Sequence, residues 1–274
     1  MNKTYVMSDI HGAYEEYLKM KEKIEFDITD TLYIVGDIFD RGAGTYKILS
    51  DIMANKNIIL LLGNHEFSYV SIYQNMKLFE ETKDKRYKEN ADMWENYISD
   101  PAACGSASIK FLFHTIKKEQ REYYLDYLSA LSTDKLLFIN GTYFYLTHGS
   151  VSTYDFKRVC DRADMSRHYL LLFDENEKLE SVAATSIKAL SDRNALKEMA
   201  KMAGDGWITD SIIITGHTPV KHYTTNKNMK IFRYGNNINI DCGCTGYNFG
   251  KKDSEGYTNH LSCLCLNTME EFYI

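Results

Sequence analysis

The sequence predicts an α/β fold in which two packed, mixed β-sheets are flanked by helices. In the first third of the chain, apolar β-type runs alternate with helical patterns, an order typical of a parallel sheet with crossover helices. A charged helical stretch then runs from about 67 to 131, and strand patterns return after it. No low-complexity linker interrupts the 274 residues, so we expect a single domain over 1–274 with a helical cap insertion at about 67–131.

The order of the elements follows from apolar periodicity and turn residues. Strands are expected at 4–7, 31–35 and 58–62, and helices at 13–23 and 45–55. Asn140-Gly141 favours a tight hairpin between strands at 136–139 and 142–146, because both residues tolerate positive φ. A helical pattern returns over about 155–206. The late strands are expected at 212–215, 231–234, 238–240, 261–266 and 271–273.

Charge and composition argue against several classes of partner. The formal charge is −6, from 32 basic and 38 acidic residues, which disfavours a surface built to bind nucleic acid. No run approaches the roughly 20 apolar residues of a membrane-spanning helix, so no membrane partner is expected. No secretory leader precedes the first strand, and we therefore expect a cytoplasmic protein.

The six cysteines are expected to be reduced, buried thiols. Four of them form the C-x-C pairs Cys242/Cys244 and Cys263/Cys265. Such a pair could suggest a zinc knuckle, but on a strand this spacing places both sulfurs on one face, as for any small core residue.

Polar side chains follow each of the first three predicted strands. Asp9 and His11 follow the first strand, Asp37 the second and Asn64 the third, so all should lie at one edge of the sheet. Asp9 and His11 can converge on one divalent ion, and the two oxygens of Asp37 can bridge two metals about 3.5–4 Å apart. Asn64 offers a neutral oxygen ligand, although a helix-capping role explains it equally well.

The residues beside these candidates suit phosphate chemistry. Arg41, in Asp40-Arg41-Gly42, has planar donors that match a phosphate group. A surface Asp-Arg pair would explain Arg41 alone, but not the recurrence of an acid after consecutive strands. His65 adjoins Asn64, points a different way and is free for proton chemistry.

Five motifs, in order over about residues 4 to 266, resemble those of the calcineurin-like metallophosphoesterases. They are Asp9-x-His11-Gly12, Gly36-Asp37-x-x-Asp40-Arg41-Gly42, Gly63-Asn64-His65-Glu66, Leu146-Thr147-His148-Gly149 and Gly216-His217-Thr218-Pro219. The Asp-Arg-Gly and Asn-His-Glu forms are similar to the phosphoprotein phosphatase branch, particularly its bacterial members. The resemblance implies a two-metal hydrolase built on an αββα sandwich.

The resemblance also implies a role for each motif residue. Two divalent ions are implied, with manganese expected and iron or zinc as alternatives. The implied ligands of one ion are Asp9, His11 and Asp37, and those of the other are Asp37, Asn64, His148 and His217. A hydroxide bridging the ions would be the nucleophile. His65 would protonate the leaving oxygen, Asp40 would orient His65, and Arg41 and Asn64 would bind the phosphoryl group.

A second phosphate-binding arginine is implied between His148 and His217. Arg193 is our choice and Arg162 the alternative. The aromatic residue usual before this arginine is absent here, and a helix-surface salt bridge is an equally good explanation of Arg193.

The motifs favour hydrolysis of a phosphomonoester, foremost phosphoserine or phosphothreonine in a protein. The alternative is a dinucleoside polyphosphate such as diadenosine tetraphosphate, which similar enzymes hydrolyse. The expected partner is thus a phosphorylated protein or a small phosphorylated substrate. A nuclease or cyclic phosphodiesterase is disfavoured, because those branches end in Gly-His-x-His and Pro219 cannot ligate a metal. A catalytically dead binding module should have lost a ligand or the Asp40/His65 pair, and none is missing.

Overall fold

The computed structural model describes residues 2–99, 107–149, 211–244 and 252–274. The strands there are β1 (Thr4–Met7), β2 (Thr31–Val35), β3 (Ile58–Leu61), β4 (Asp134–Ile139), β5 (Thr142–Thr147), β6 (Ser211–Thr215), β7 (Phe232–Tyr234), β8 (Asn237–Asn239), β9 (Ser262–Cys265) and β10 (Glu271–Tyr273). The α-helices are α1 (Tyr14–Lys23), α2 (Thr45–Ala54), α3 (Asn64–Thr82), α4 (Lys85–Ser99), α5 (Ala107–His114) and α6 (Lys118–Ser129). Within the described ranges, no helix combines the length and apolar character needed to cross a lipid bilayer.

The strands form two five-stranded sheets, in the orders β10-β9-β1-β2-β3 and β4-β5-β6-β8-β7. In the first sheet β1, β2 and β3 run parallel, with α1 and α2 as crossovers, and β9 runs antiparallel to β1. In the second sheet β5, β6 and β8 run parallel, and β4 and β7 add antiparallel edges. Both sheets are mixed, which confirms the predicted fold class.

The two sheets pack face to face. Val6 of β1 lies in one hydrophobic cluster with Phe144 of β5 and Ile214 of β6. Its neighbour Met7 lies in a second cluster, together with residues of the crossover helices such as Ile48. Because side chains alternate along a strand, β1 is buried on both faces, and this explains its unbroken apolar sequence.

Four helices, α3 to α6, lie between β3 and β4, where the helical insertion was predicted. The first of them begins at Asn64, earlier than the predicted start at 67. The Glu66 carboxylate accepts a hydrogen bond from the Gly63 amide at 3.0 Å, which satisfies one donor of the helix N-terminus. Asn64 and His65 therefore lie in the first turn of α3, and this helix belongs to the candidate site as well as to the insertion.

The predicted hairpin and late strands are confirmed, with bounds that differ slightly. Asn140 and Gly141 have φ of 51° and 83°, the positive values that a two-residue hairpin turn requires. The helical pattern predicted over 155–206 lies outside the described residues.

The described cysteines are free and buried, as predicted. Cys263 and Cys265 pack in the same cluster, as their spacing on β9 requires. The prediction that both sulfurs of a C-x-C pair lie on one face is wrong for Cys242 and Cys244, which pack in different clusters. They lie beyond the end of β8, and Gly243 between them has φ of 78°, so strand alternation does not apply there.

Candidate functional site

Loops from both sheets meet at one edge of the sandwich, where the parallel strands end. The loop after β1 is joined to the loop after β2 by a hydrogen bond of 3.0 Å from the His11 amide to the Asp37 carbonyl. The loop after β6 is joined to the end of β5 by a bond of 3.0 Å from the Gly216 amide to the His148 carbonyl. Polar residues distant in sequence are thus brought together.

Several residues of these loops adopt a backbone conformation that most residues avoid. φ is 51° at Asp9, 46° at His11, 57° at Asp37 and 67° at His217. Such left-handed conformations cost of order 1–3 kcal/mol each for residues other than glycine. The surrounding loops therefore fix the direction of these side chains at a cost in stability.

Asp37, Asn64, His148 and His217 converge into a first donor group. Asn64 Oδ1 lies 3.0 Å from His148 Nε2 and 2.9 Å from His217 Nδ1. His148 Nε2 lies 3.2 Å from Asp37 Oδ2. Two ligands bound at about 2.1 Å and at right angles are separated by about 3.0 Å, so these spacings suit one divalent ion. Oxygen and imidazole nitrogen are also donors that manganese, iron and zinc accept.

His11, Asp37 and His65 form a second group, whose ligand atoms lie within 4.8 Å of one another. Asp37 Oδ2 lies 3.8 Å from His11 Nε2 and 3.7 Å from His65 Nε2. The other oxygen, Oδ1, accepts a hydrogen bond from the His65 amide at 3.1 Å. Oδ2 of Asp37 thus lies within 3.2–3.8 Å of histidines from both groups, and the expectation that the two Asp37 oxygens bridge two metals stays a prediction.

Backbone carbonyls set the proton positions on two histidines. Nδ1 of His11 lies 2.7 Å from the Phe39 carbonyl, and Nδ1 of His148 lies 2.8 Å from the Val35 carbonyl. Because a carbonyl oxygen only accepts, each Nδ1 carries a proton, so in the neutral ring each Nε2 holds the lone pair and faces Asp37. Both rings are thus oriented as metal-ligating histidines are.

Asp9 lies beside these groups and is also buried. Both of its carboxylate oxygens accept from the His217 amide, at 3.1 and 2.9 Å. Burial raises the pKa of Asp9 to about 6, although the charge of His148 lowers it. Neither donor group found among the described residues includes Asp9, so its implied place at one metal rests on proximity to Asp37 and His148.

Carboxylates dominate the electrostatics of the site. Burial lowers the pKa of His148, but the charge and hydrogen bond of Asp37 and the charge of Asp9 together outweigh it, and the pKa is raised to about 10. Burial likewise lowers the pKa of His65, and Asp37 and Asp40 outweigh it, so this pKa is also raised. Cations among these groups would neutralise the same carboxylates and leave the histidines neutral, as metal ligands must be.

His65 belongs to a hydrogen-bonded chain that the sequence revealed only in part. Nδ1 of His65 lies 2.7 Å from Asp40 Oδ2, the pairing that the motifs imply. The hydroxyl of Tyr69 donates to Asp40 Oδ1 at 2.5 Å. No motif pointed to Tyr69, but its position one helical turn after His65 places both on one face of α3.

Glu66 ties the loop after β2 to the start of α3. Its carboxylate is fully buried and accepts four backbone hydrogen bonds. The donors are the amides of Asp37 at 2.8 Å, Ile38 at 2.8 Å, Phe39 at 3.1 Å and Gly63 at 3.0 Å. Its motif had marked Glu66, but no role followed from the sequence.

Asp241 is a buried acid that the sequence analysis missed. It accepts from the Gly243 amide at 2.9 Å. Burial raises the pKa of Asp241, and the negative charge of Asp9 raises it further. Asp241 follows closely after β8, so an acid after a strand, the pattern already seen after β1 and β2, was the signal that could have identified it.

Arg41 lies half-buried beside the site, and its charge acts on both His11 and Asp241. Its guanidinium makes no hydrogen bond or ion pair with any other described residue. Within the described residues, the donors of Arg41 are therefore open to a bound anion. Arg193 and Arg162, the two candidates for a second phosphate-binding arginine, lie outside the described residues.

A sequence profile described as calcineurin-like phosphoesterase matches residues 3–242. The chain belongs to the calcineurin-like phosphoesterase family. Members depend on two metal ions, and the two donor groups around Asp37 agree with that requirement. This membership confirms the superfamily that the motifs indicated.

Several curated relatives are named symmetrical bis(5'-nucleosyl)-tetraphosphatases. The enzyme of Buchnera aphidicola subsp. Baizongia pistaciae is 33% identical over 76 residues, or 27% of each chain. That of Klebsiella pneumoniae strain 342 is 35% identical over 72 residues, or 26% of each chain. That of Wigglesworthia glossinidia brevipalpis is 38% identical over 79 residues, or 28% of this chain and 29% of the relative. Each match spans less than a third of the relative.

Two solved structures share the fold of this calcineurin-like phosphoesterase. A putative diadenosine tetraphosphatase has a TM-score of 0.53 and 14% identity, over 100% of this chain and 93% of the other. A cold-active protein-tyrosine phosphatase of a psychrophilic Shewanella has a TM-score of 0.54 and 17% identity, over 100% of this chain and 80% of the other. At such identities the likeness shows the fold alone.

Proposed function

We propose that the chain hydrolyses phosphoric esters or anhydrides with two divalent ions, manganese first and iron or zinc as alternatives. The observation that carries the proposal is the single Asp37 oxygen shared by two groups of donors. We assign Asp9, His11 and Asp37 to one ion, and Asp37, Asn64, His148 and His217 to the other. Bound there, the ions would supply positive charge for the phosphoryl oxygens and lower the pKa of a water molecule that attacks phosphorus.

The chain's own residues would bind the phosphoryl group and move a proton. Nε2 of His65 lies 3.7 Å from the shared Asp37 oxygen, and this proximity supports a role for His65 in protonating the leaving oxygen. Asp40 holds the opposite ring nitrogen and keeps Nε2 directed into the site. Arg41 and Asn64 would bind phosphoryl oxygens, with Arg193 as the proposed second arginine.

Two substrate classes have support. The Asp-Arg-Gly and Asn-His-Glu motifs favour a phosphoserine or phosphothreonine phosphomonoester. The curated relatives, each named a symmetrical bis(5'-nucleosyl)-tetraphosphatase, favour a dinucleoside polyphosphate and give that alternative equal standing. We propose that the helical insertion caps the site within one domain and selects between these classes.

A turnover panel tests the proposed function. The purified chain, supplied with manganese, iron or zinc, would be given phosphopeptides, diadenosine tetraphosphate, a small phosphomonoester and a phosphodiester. If kcat/KM for phosphopeptides and for diadenosine tetraphosphate differs by about tenfold or more, the better substrate assigns the class. A tenfold ratio corresponds to about 1.4 kcal/mol of difference in transition-state binding. Absence of turnover on every substrate with every metal would contradict the proposed function.

Replacing His65 with alanine should lower kcat on alkyl phosphates by about a hundredfold or more, because an alkoxide cannot leave without a proton. Aryl phosphates with acidic phenols should lose much less. Metal content per chain should stay unchanged, since His65 is assigned to proton transfer. Loss of one metal per chain would instead make His65 a ligand, a role that its Nε2 distance of 3.7 Å from Asp37 Oδ2 also allows.

A further inference from the structure

Two helices of the insertion hold Asp40 in place. The Asp40 amide donates to the Ser108 hydroxyl of α5 at 2.9 Å. The Tyr69 hydroxyl of α3 donates to Asp40 Oδ1 at 2.5 Å, and Nδ1 of His65 is 2.7 Å from Oδ2. Asp40 is fully buried and has a φ of 66°, so its position depends on these partners.

The Tyr69 ring is itself fixed by packing. It is fully buried, lies 5.0 Å from the Phe39 ring and stacks on the Phe113 ring at 6.3 Å. Burial and contact with these two rings limit the movement of Tyr69, so its hydrogen bond to Asp40 has a defined direction.

From this arrangement we infer that Tyr69 is a positioning residue for proton transfer by His65. Tyr69 orients Asp40 and Asp40 orients His65, so the three residues form one hydrogen-bonded chain. The inference rests on the proposed function. By occupying Oδ1, Tyr69 sets the plane of the carboxylate so that Oδ2 faces His65 Nδ1. The ring of His65 then points Nε2 towards the shared oxygen of Asp37, 3.7 Å away. In many enzymes a catalytic acid or base is oriented by a second group, and that second group is oriented by a third.

The first test compares Tyr69→Phe with Tyr73→Phe. Tyr73 is a matched control, because it is a buried tyrosine of α3 whose hydroxyl donates to Asp126 at 2.9 Å, away from the site. We expect Tyr69→Phe to lower kcat on an alkyl phosphate by about tenfold, a part of the general-acid contribution, with KM and metal content unchanged. On 2,4-dinitrophenyl phosphate, which needs no proton on departure, the loss should be under about twofold. Tyr73→Phe should change neither.

A spectroscopic measurement separates this inference from the proposed function. The downfield proton NMR signal of the His65 Nδ1 hydrogen would be identified by its absence in His65→Ala. Without the competing Tyr69 donor, Asp40 becomes a stronger acceptor, so the signal should move further downfield in Tyr69→Phe and stay in place in Tyr73→Phe. This measurement does not require turnover, so it tests whether Tyr69 orients Asp40 and His65 even if no substrate is hydrolysed.

Two further variants complete the test. In a His65→Ala background, Tyr69→Phe should cost nothing more on the alkyl phosphate, because the residue it positions is gone. Should Tyr69→Phe fail to fold, Ser108→Ala removes the acceptor of the Asp40 amide and should show the same dependence on the leaving group. Equal losses on both leaving groups, or an unmoved His65 signal, would overturn the inference.

Discussion

Replacing Asp37 with asparagine is expected to lower kcat/KM by about a hundredfold to a thousandfold, since metal ions supply several kcal/mol of transition-state stabilisation. Among the described residues, Asp37 is common to both donor groups, and its Oδ2 lies 3.8 Å from His11 Nε2 and 3.2 Å from His148 Nε2. An amide in its place removes one negative charge from between the two proposed ions. In one orientation of the amide, its nitrogen would donate to Nε2 of His148, 3.2 Å from the present oxygen, and would compete with a metal ion for that lone pair.

The measurement is metal content per chain together with turnover. We expect fewer than two ions per chain in the Asp37→Asn protein, and little recovery of turnover with excess manganese. Asp92→Asn is the matched control, because Asp92 is an exposed carboxylate on α4 paired with Lys88. An Asp37→Asn protein with two bound ions and unchanged turnover would disprove the two-metal assignment.

Replacing Glu66 with glutamine should destabilise the folded chain by about 2–6 kcal/mol. Each carboxylate oxygen of Glu66 now accepts two backbone amides. The NH2 group of glutamine cannot accept, so two buried amides would lose their partner at about 1–3 kcal/mol each. This is a large part of the 5–15 kcal/mol that holds a typical domain together.

Urea unfolding, followed by circular dichroism, measures the change in free energy of unfolding. Glu119→Gln is the control, because Glu119 also lies in the first turn of a helix, α6, but is exposed. Turnover of Glu66→Gln should fall as well, since the same amides position Asp37 beside Asn64 and His65. A destabilisation no larger than that of Glu119→Gln would show that Glu66 does not join the two loops.

Elements with a strong local pattern could be predicted from the sequence. β1, β2 and β3 appear as short apolar runs because they are buried on both faces, and Asn140-Gly141 meets the φ requirement of its turn. The start of α3 could not be placed, because it depends on a Glu66 side chain that reaches back to Gly63. Cys244 was misplaced because the chain leaves strand geometry after β8.

The candidate site, like the fold, could be predicted from the sequence only in part. The sequence alone determined the family, the fold class and most of the candidate ligands, because short contiguous motifs and strand periodicity carry that information. Only the tertiary structure decided that one oxygen of Asp37 is shared, that Glu66 joins two loops and that Tyr69 supports Asp40. Each of these depends on how groups from different loops and helices are brought within a few ångströms of one another, and the order of residues along the chain does not encode such distances locally.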